Sequence, residues 1–190
     1  MPFTSVNILD FLEDVGKETL EELFQSFSCP LNLEIEDFLR TKAVDFAVKK
    51  ISMTYLVFNE DNDLLGYYTL THKSLTIPKV SVSKTLQRKI ERFSSQDIEA
   101  DSYQASAFLL AQLGKNLSID TGKGIKGIEL LKCSLDILKK VQHLIGGGIV
   151  FLECEDKPKL IDFYQQNNFR PYNMRTASDG VAYHQLLSLL

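Results

Sequence analysis

"IVFLECEDKPKLIDFYQQNNF", residues 149–169, opens on a continuous apolar run and passes directly into a helical pattern. An apolar run of this length, bounded by turn residues, predicts a strand buried on both faces and central in a sheet. Pro158 stands near the first turn of the following helix, where its missing N–H is not needed. Asn168 falls just past the helix end, a position that favours a residue tolerant of positive φ.

Upstream, "SYQASAFLLAQLGKN" (102–116) predicts a second buried strand. The stretch from Gly124 to Ile145 predicts a long helix, with Ile128, Leu131, Leu135, Leu138, Val141 and Ile145 on one face. Gly146–Gly148 should end it. Residues Ala105 to Glu153 thus form a strand–helix–strand crossover whose strands should be parallel neighbours. "VAYHQLLSLL" (181–190) predicts a terminal strand. Nearer the N-terminus, "VGKETLEELFQSFS" (15–28) and "LEIEDFLRTKAVDFAVKKI" (33–51) predict two helices. "MTYLVFNEDNDLLGYYTLTHKSLTI" (53–77) predicts a β-hairpin that turns at "NEDND", and "SVSKTLQRKIERFSS" (81–95) a short amphipathic helix. The whole reads as a mixed α/β domain over 1–190, with N-terminal helices in 1–53 and a sheet-bearing core in 54–190.

Bulk properties narrow the class. A chain of 190 residues suits one compact domain with a sizeable core. With 44% hydrophobic and 24% charged residues, it should be globular rather than disordered. A net charge of −4 argues against general nucleic-acid binding and leaves only a local basic patch open. Cys29, Cys133 and Cys154 are far apart and give neither a zinc spacing nor a disulfide framework. His72, His143 and His184 make no metal cluster, so no metal is expected. With no 18-residue apolar run and no signal-peptide pattern, the expected location is the cytoplasm, with no membrane partner.

One loop stands out chemically. "TGKGIKGIELL" (121–131) lies between the predicted strand and the long helix. Backbone N–H groups at a helix start are unpaired and carry the positive end of the dipole. Glycine lets a phosphate oxygen approach that backbone, and Lys123 and Lys126 would add charge. The sequence is neither a Walker A loop nor a dinucleotide-binding fingerprint. From these residues alone, a phosphate cradle and an ordinary glycine-containing loop both stand.

Three blocks in order resemble the GNAT family of acetyl-CoA-dependent N-acetyltransferases. "LLAQLGKN" (109–116) resembles the family's central strand. "TGKGIKGIELL" resembles its pyrophosphate loop, and "IVFLECEDKPKLIDFYQQNNF" its strand–helix pair ending in an "FYxxxGF" pattern. The resemblance covers residues 54–190. Three positions depart from the family pattern. Thr121 stands where the family has Gln or Arg, Lys126 where it has a second small residue (or Gly127, if one residue is inserted), and Asn168 where it has Gly.

The resemblance implies a GNAT-like fold: a mixed, mostly antiparallel central sheet, a parallel strand pair splayed around the acyl-CoA site, and helices on both faces. It implies direct acetyl transfer from acetyl-CoA to a primary amine. Backbone groups of Leu113 and Lys115 would hold the acetyl carbonyl. Residues Thr121, Gly122, Lys123, Gly124, Ile125, Lys126 and Gly127 would cradle the pyrophosphate. Tyr164 would protonate the departing thiolate. Glu153 and Glu155 are the nearest candidates for a base. Cys154 reads as a small buried residue, and Asp156, Lys157 and Lys159 as solvated charges.

The segment from Lys79 to Arg92 holds five Lys or Arg against one acid, Glu91. It reads either as a wet surface helix or as a contact for an anionic partner, RNA or the 3′-phosphate of CoA. An insertion here also resembles the toxin-like branch of the family, which acetylates aminoacyl-tRNA and pairs with a small antitoxin. The expected acceptor is therefore an amine on a small molecule, a protein or an aminoacyl-tRNA. A homodimer is left open. A rival expectation is a catalytically silent GNAT-fold binding module.

Overall fold

A computed structural model describes residues 3–120, 122–177 and 180–190. Its sheet has eight strands, β1 (Thr4–Asn7), β2 (Met53–Phe58), β3 (Leu64–Pro78), β4 (Ser94–Asp97), β5 (Ser102–Lys115), β6 (Ile149–Glu155), β7 (Arg170–Thr176) and β8 (Ala182–Leu189). The helices are α1 (Ile8–Ser26), α2 (Leu33–Thr41), α3 (Ala43–Val48), α4 (Lys84–Ile90), α5 (Gly127–Ile145) and α6 (Pro158–Gln166). The sheet order is β1-β2-β3-β5-β6-β8-β7, with β4 paired to β5 off this path. β5 and β6 pair parallel, at Phe108↔Val150 and Leu109↔Phe151, as the crossover predicts. The other recorded ladders are antiparallel.

The chain forms two compact units, neither of them a single contiguous segment. The first takes residues up to Thr71 together with Leu110–Asp136. Its core gathers Phe24, Phe27, Leu39, Leu56 and Tyr67. Asn7 caps α1 by accepting from the Leu9 N–H at 2.9 Å, and Asn32 caps α2 in the same way. Each such cap stabilises a helix by about 1 kcal/mol. Because Asn7 starts it, α1 begins earlier than the sequence pattern suggested and bends at Gly16, whose φ is +81°. The expected second helix divides at Lys42, whose φ of −122° leaves the helical range, giving α2 and α3.

The second unit takes His72–Leu109 and Ile137–Leu190. Leu75, Ile77, Ile90, Tyr103, Ile149 and Leu187 form its core. Here α4 is held by Ser83 at its N-cap and by buried Ile90. Strands β4 and β7 have no clear sequence signal. β4 is four polar residues, and β7 is an exposed edge strand that accommodates Pro171. α6 ends as expected, with Asn168 at φ +68°.

The long helix differs in detail from its sequence pattern. It begins at Gly127, not Gly124. Its buried residues include Leu130, Leu131, Ser134 and Leu138, whereas Ile128 and Ile145 are 46% and 69% exposed. Among the described residues, no helix is long and apolar enough to cross a membrane.

Candidate acyl-carrier site

The site builds from the end of β5. Asn116, just past that strand, is 4% exposed and its side chain is fully engaged. Its Nδ2 donates to the Leu64 carbonyl at 2.9 Å. Its Oδ1 accepts from the Ser28 N–H at 3.0 Å and from the Ser118 hydroxyl at 2.8 Å. One amide thus ties the β5 exit, the α1–α2 loop and the start of β3 together. The Asn116 N–H also donates to the Leu65 carbonyl at 2.8 Å. Backbone N–H groups alternate edges along a strand. Those of Leu113 and Lys115 therefore point to the edge away from β3.

Beyond this strand end lies a cleft of about 410 Å³. Phe3, Leu117, Ile119 and Ile125 supply its apolar wall, and Lys115, Lys123 and Lys126 its positive charge. Gly122 and Gly124 line it as well. Neither has a left-handed φ. A Cβ added at Gly122 would meet nothing within 4 Å, and one at Gly124 would meet only the Asp120 carbonyl, at 3.7 Å. The fold itself does not need glycine there, and the missing side chains leave open space.

Several backbone donors of the loop are already used. The Asp120 carbonyl accepts from the N–H of Lys123 at 2.8 Å and of Gly124 at 3.1 Å. Glu129 Oε2 accepts from the Lys126 N–H at 2.8 Å. This is half of a capping box: an acid in the first turn of α5 reaches back to the residue before the helix. The N–H groups of Ile125, Gly127 and Ile128 have no partner among the described residues. They remain as donors at the positive end of a 19-residue helix. The Lys123–Asp61 pair is exposed and 4.0 Å apart, so it neutralises little of the lysine charge. The donor set, the lysines and the open space fit a diphosphate.

Of the residues expected from sequence, Lys115, Gly122, Lys123, Gly124, Ile125 and Lys126 line this cleft together. Gly127 opens α5 beside it, and Leu113 lies two residues inside β5. Thr121 lies outside the described residues. Sequence reasoning did not find Asn116, Phe3 or Glu129. Only Glu129 had a signal, as an acid three residues after Lys126 at a helix start.

Tyr164 lies on α6, in the second unit. It is 7% exposed, edge-on to Phe163 at 5.1 Å and to Phe169 at 5.7 Å. Burial, with a smaller contribution from Cys154, pushes its phenol pKa well above the ordinary value. The hydroxyl therefore keeps its proton through the physiological range. It has no hydrogen-bond partner among the described residues, yet it is not one of the enclosed, unpartnered polar atoms. The phenol thus holds its proton without passing it to a neighbouring acceptor.

Its neighbours behave differently. Burial pushes the Cys154 thiol up to about 11, with Asp156 and Glu155 adding to the shift, so no nucleophilic thiolate forms near neutrality. Burial also raises the Glu153 carboxyl, but hydrogen bonds from Arg175 and Gln185 outweigh this and hold it below its usual value. Arg175 Nε donates to it at 2.7 Å and Gln185 Nε2 at 2.6 Å. A carboxylate held in this way is a poor base. Glu155 pairs with Lys157 at 2.7 Å, and Asp156 with His184 at 3.0 Å.

No protein-family model matches the chain, and comparison with curated proteins finds no match. Solved structures do match. AtaT complexed with acetyl-methionyl-tRNAfMet aligns with a TM-score of 0.66 at 20% identity, over 96% of this chain and 94% of that one. A tyrosine-to-phenylalanine mutant of KacT aligns with a TM-score of 0.65 at 20% identity, over 97% and 95%. A tyrosine-to-phenylalanine mutant of the AtaT toxin, bound to the C-terminus of the antitoxin AtaR and acetyl-CoA, aligns at 0.63 and 18%, over 100% and 94%. At this identity the likeness concerns architecture, and in architecture the chain has the GNAT-like fold: a mostly antiparallel mixed sheet with one parallel pair.

Proposed function

We propose that the chain is an acetyl-CoA-dependent N-acetyltransferase whose acceptor is the amino group of an aminoacyl-tRNA. The observation that carries the transferase reading is the cleft at the start of α5, with its three lysines, unpaired backbone donors and space beside Gly122 and Gly124. Acetyl-CoA would supply an acyl group already activated as a thioester. Lys123, Lys126 and the N–H groups of Ile125, Gly127 and Ile128 would bind its pyrophosphate. The N–H groups of Leu113 and Lys115, directed away from β3, would orient and polarise the acyl carbonyl. Tyr164 holds a proton on Oη for the departing sulfur, which its raised pKa and unpartnered hydroxyl support. Glu153, held by Arg175 and Gln185, lacks the free carboxylate that a general base requires, and Glu155 pairs with Lys157.

The acceptor is supported by the similar structures. AtaT was solved with acetyl-methionyl-tRNAfMet, and also with an antitoxin segment and acetyl-CoA. A small antitoxin is the partner that follows. One observation favours the silent-module reading instead: the N–H groups of Lys123, Gly124 and Lys126 are consumed within the protein.

Calorimetry separates the two. Micromolar binding of acetyl-CoA and CoA, but not ATP, is expected, and no binding would favour the silent module. Acetyl transfer to aminoacyl-tRNA should then exceed transfer to small amines, and expression should arrest growth. Harmless expression would remove the toxin part. Tyr164→Phe should lower turnover by about 10²-fold or more while acetyl-CoA affinity stays within a factor of about 3. Equal losses in both would overturn the proton-donor role.

A further inference from the structure

The outward face of α4 and the turn that follows it carry a run of cations that make no ion pair among the described residues. Lys84 and Arg88 stand one turn apart on α4 with Lys89 beside them, and Arg92 follows at the same spacing just past the helix end. All four are exposed, and among the described residues none makes an ion pair. By contrast, Arg40, Lys49, Lys79 and Lys157 each reach a carboxylate within 3.1 Å. The segment's one acid, Glu91, is engaged elsewhere: its Oε1 accepts from the Tyr103 hydroxyl at 2.9 Å. Lys79 is neutralised by Asp101.

This arrangement works against the helix. Like charges four residues apart oppose helix formation, and Lys84 sits at the positive end of the dipole. A helix that only had to be wet would interleave acids with its lysines. Instead, α4 is held from its other side by buried Ile90, by Leu86 and Phe93 packed against the same core, and by its Ser83 cap. The segment 79–92 carries +5 − 1 = +4, so the rest of the chain carries −4 − 4 = −8. A polyanion would be repelled by most of the surface and drawn to this helix.

We propose that the outer face of α4 binds the phosphate backbone of an RNA. The proposal rests on the aminoacyl-tRNA reading for the identity of the polymer, and on α4 alone for the place. The composition of the face selects among anions. Lys84, Thr85, Arg88, Lys89 and Arg92 include no apolar or aromatic side chain. Protein partners anchor through such residues, and membranes need them for insertion, whereas phosphate contacts need only Lys and Arg. None of these cations lines the cleft at the start of α5, so the 3′-phosphate of CoA has no claim on them from that cleft.

Binding of labelled, deacylated tRNA can be followed by fluorescence anisotropy at rising salt. The intact protein should bind with a steep salt dependence. Arg88→Gln with Lys89→Gln should weaken binding about tenfold or more and lower the slope of log K against log salt by about 2, one for each lost phosphate contact. Lys17→Gln on α1 should change neither. If the double variant melts early, Lys84→Gln and Arg92→Gln taken singly should each lower the slope by about 1. Unchanged affinity and slope in a folded variant would overturn the proposal. So would binding to phosphatidylserine vesicles in place of tRNA. Acetyl-CoA calorimetry on the same samples keeps the two readings apart. A protein that ignores acetyl-CoA but binds tRNA through α4 would sink the transferase reading and uphold this one.

Discussion

Before α5 stand Gly122 and Gly124, and after it stand Gly146, Gly147 and Gly148. The later group is bound by the fold. Gly146 and Gly147 have φ of +80° and +96°, and a Cβ on Gly147 would press the Phe108 ring at 3.0 Å. Those residues end the helix by turning left-handed, which side chains resist. The earlier group is free of both demands. Its φ values are ordinary, and its surroundings are open. One residue type therefore serves two purposes at the two ends of a helix. At the C-terminal end it satisfies the backbone. At the N-terminal end it leaves open space beside the loop.

That contrast can be broken by substitution. Gly124→Glu should give the largest effect. It places bulk and negative charge where the pyrophosphate would lie, and acetyl-CoA affinity should fall about 100-fold or more, equivalent to ~2.7 kcal/mol. Thermal stability should barely move, because an added Cβ has no close neighbour. Calorimetry and a melting curve on one sample check both halves. A large loss of stability with unchanged affinity would mean that the glycines serve the loop rather than a ligand.

Gly147→Ala should do the reverse. The left-handed backbone and the Phe108 contact should together cost about 2 kcal/mol. For a chain of this size that lowers the melting temperature by roughly 4–8 °C. The folded fraction should bind acetyl-CoA as before. If affinity falls in step with stability, the two ends of α5 are not independent, and the contrast fails.

The sequence made this contrast half visible. The long apolar elements β5, β6 and α6 announce themselves, because burying an apolar run leaves a periodic trace. Asn168 announced its left-handed φ through the same reasoning that places glycine at helix ends. β1, β4 and β7 left no such trace. Two are four polar or mixed residues long, and the third is an exposed edge whose pairing depends on its neighbour rather than its own pattern. The division into two interleaved units depends on contacts distant in sequence. In the candidate site, the glycines and lysines were legible as chemistry. Which N–H groups remain free was not. That depends on the Asp120 carbonyl and the Glu129 carboxylate, set by the path of the loop. Thr121, the position where the family has Gln or Arg, stays an expectation from sequence.

Glu129 gives the smallest effect and the finest cut between structure and ligand, because it serves one and opposes the other. Its carboxylate caps α5 through the Lys126 N–H at 2.8 Å, and it also lines the cleft among the lysines. Glu129→Ala removes the cap and should cost about 1 kcal/mol of stability. It also frees a backbone donor and deletes the acid facing the cleft. By the usual size of a charge effect at a helix start, acetyl-CoA affinity should rise about two- to fivefold. Stability and affinity are thus predicted to move in opposite directions. If both fall, the capped shape of the loop governs binding, and an anion would have to be held by that shape more than by charge. If stability falls and affinity holds, Glu129 is a helix cap that happens to border the cleft. Only the opposed result makes the start of α5 an anion site that the protein partly occupies with its own carboxylate.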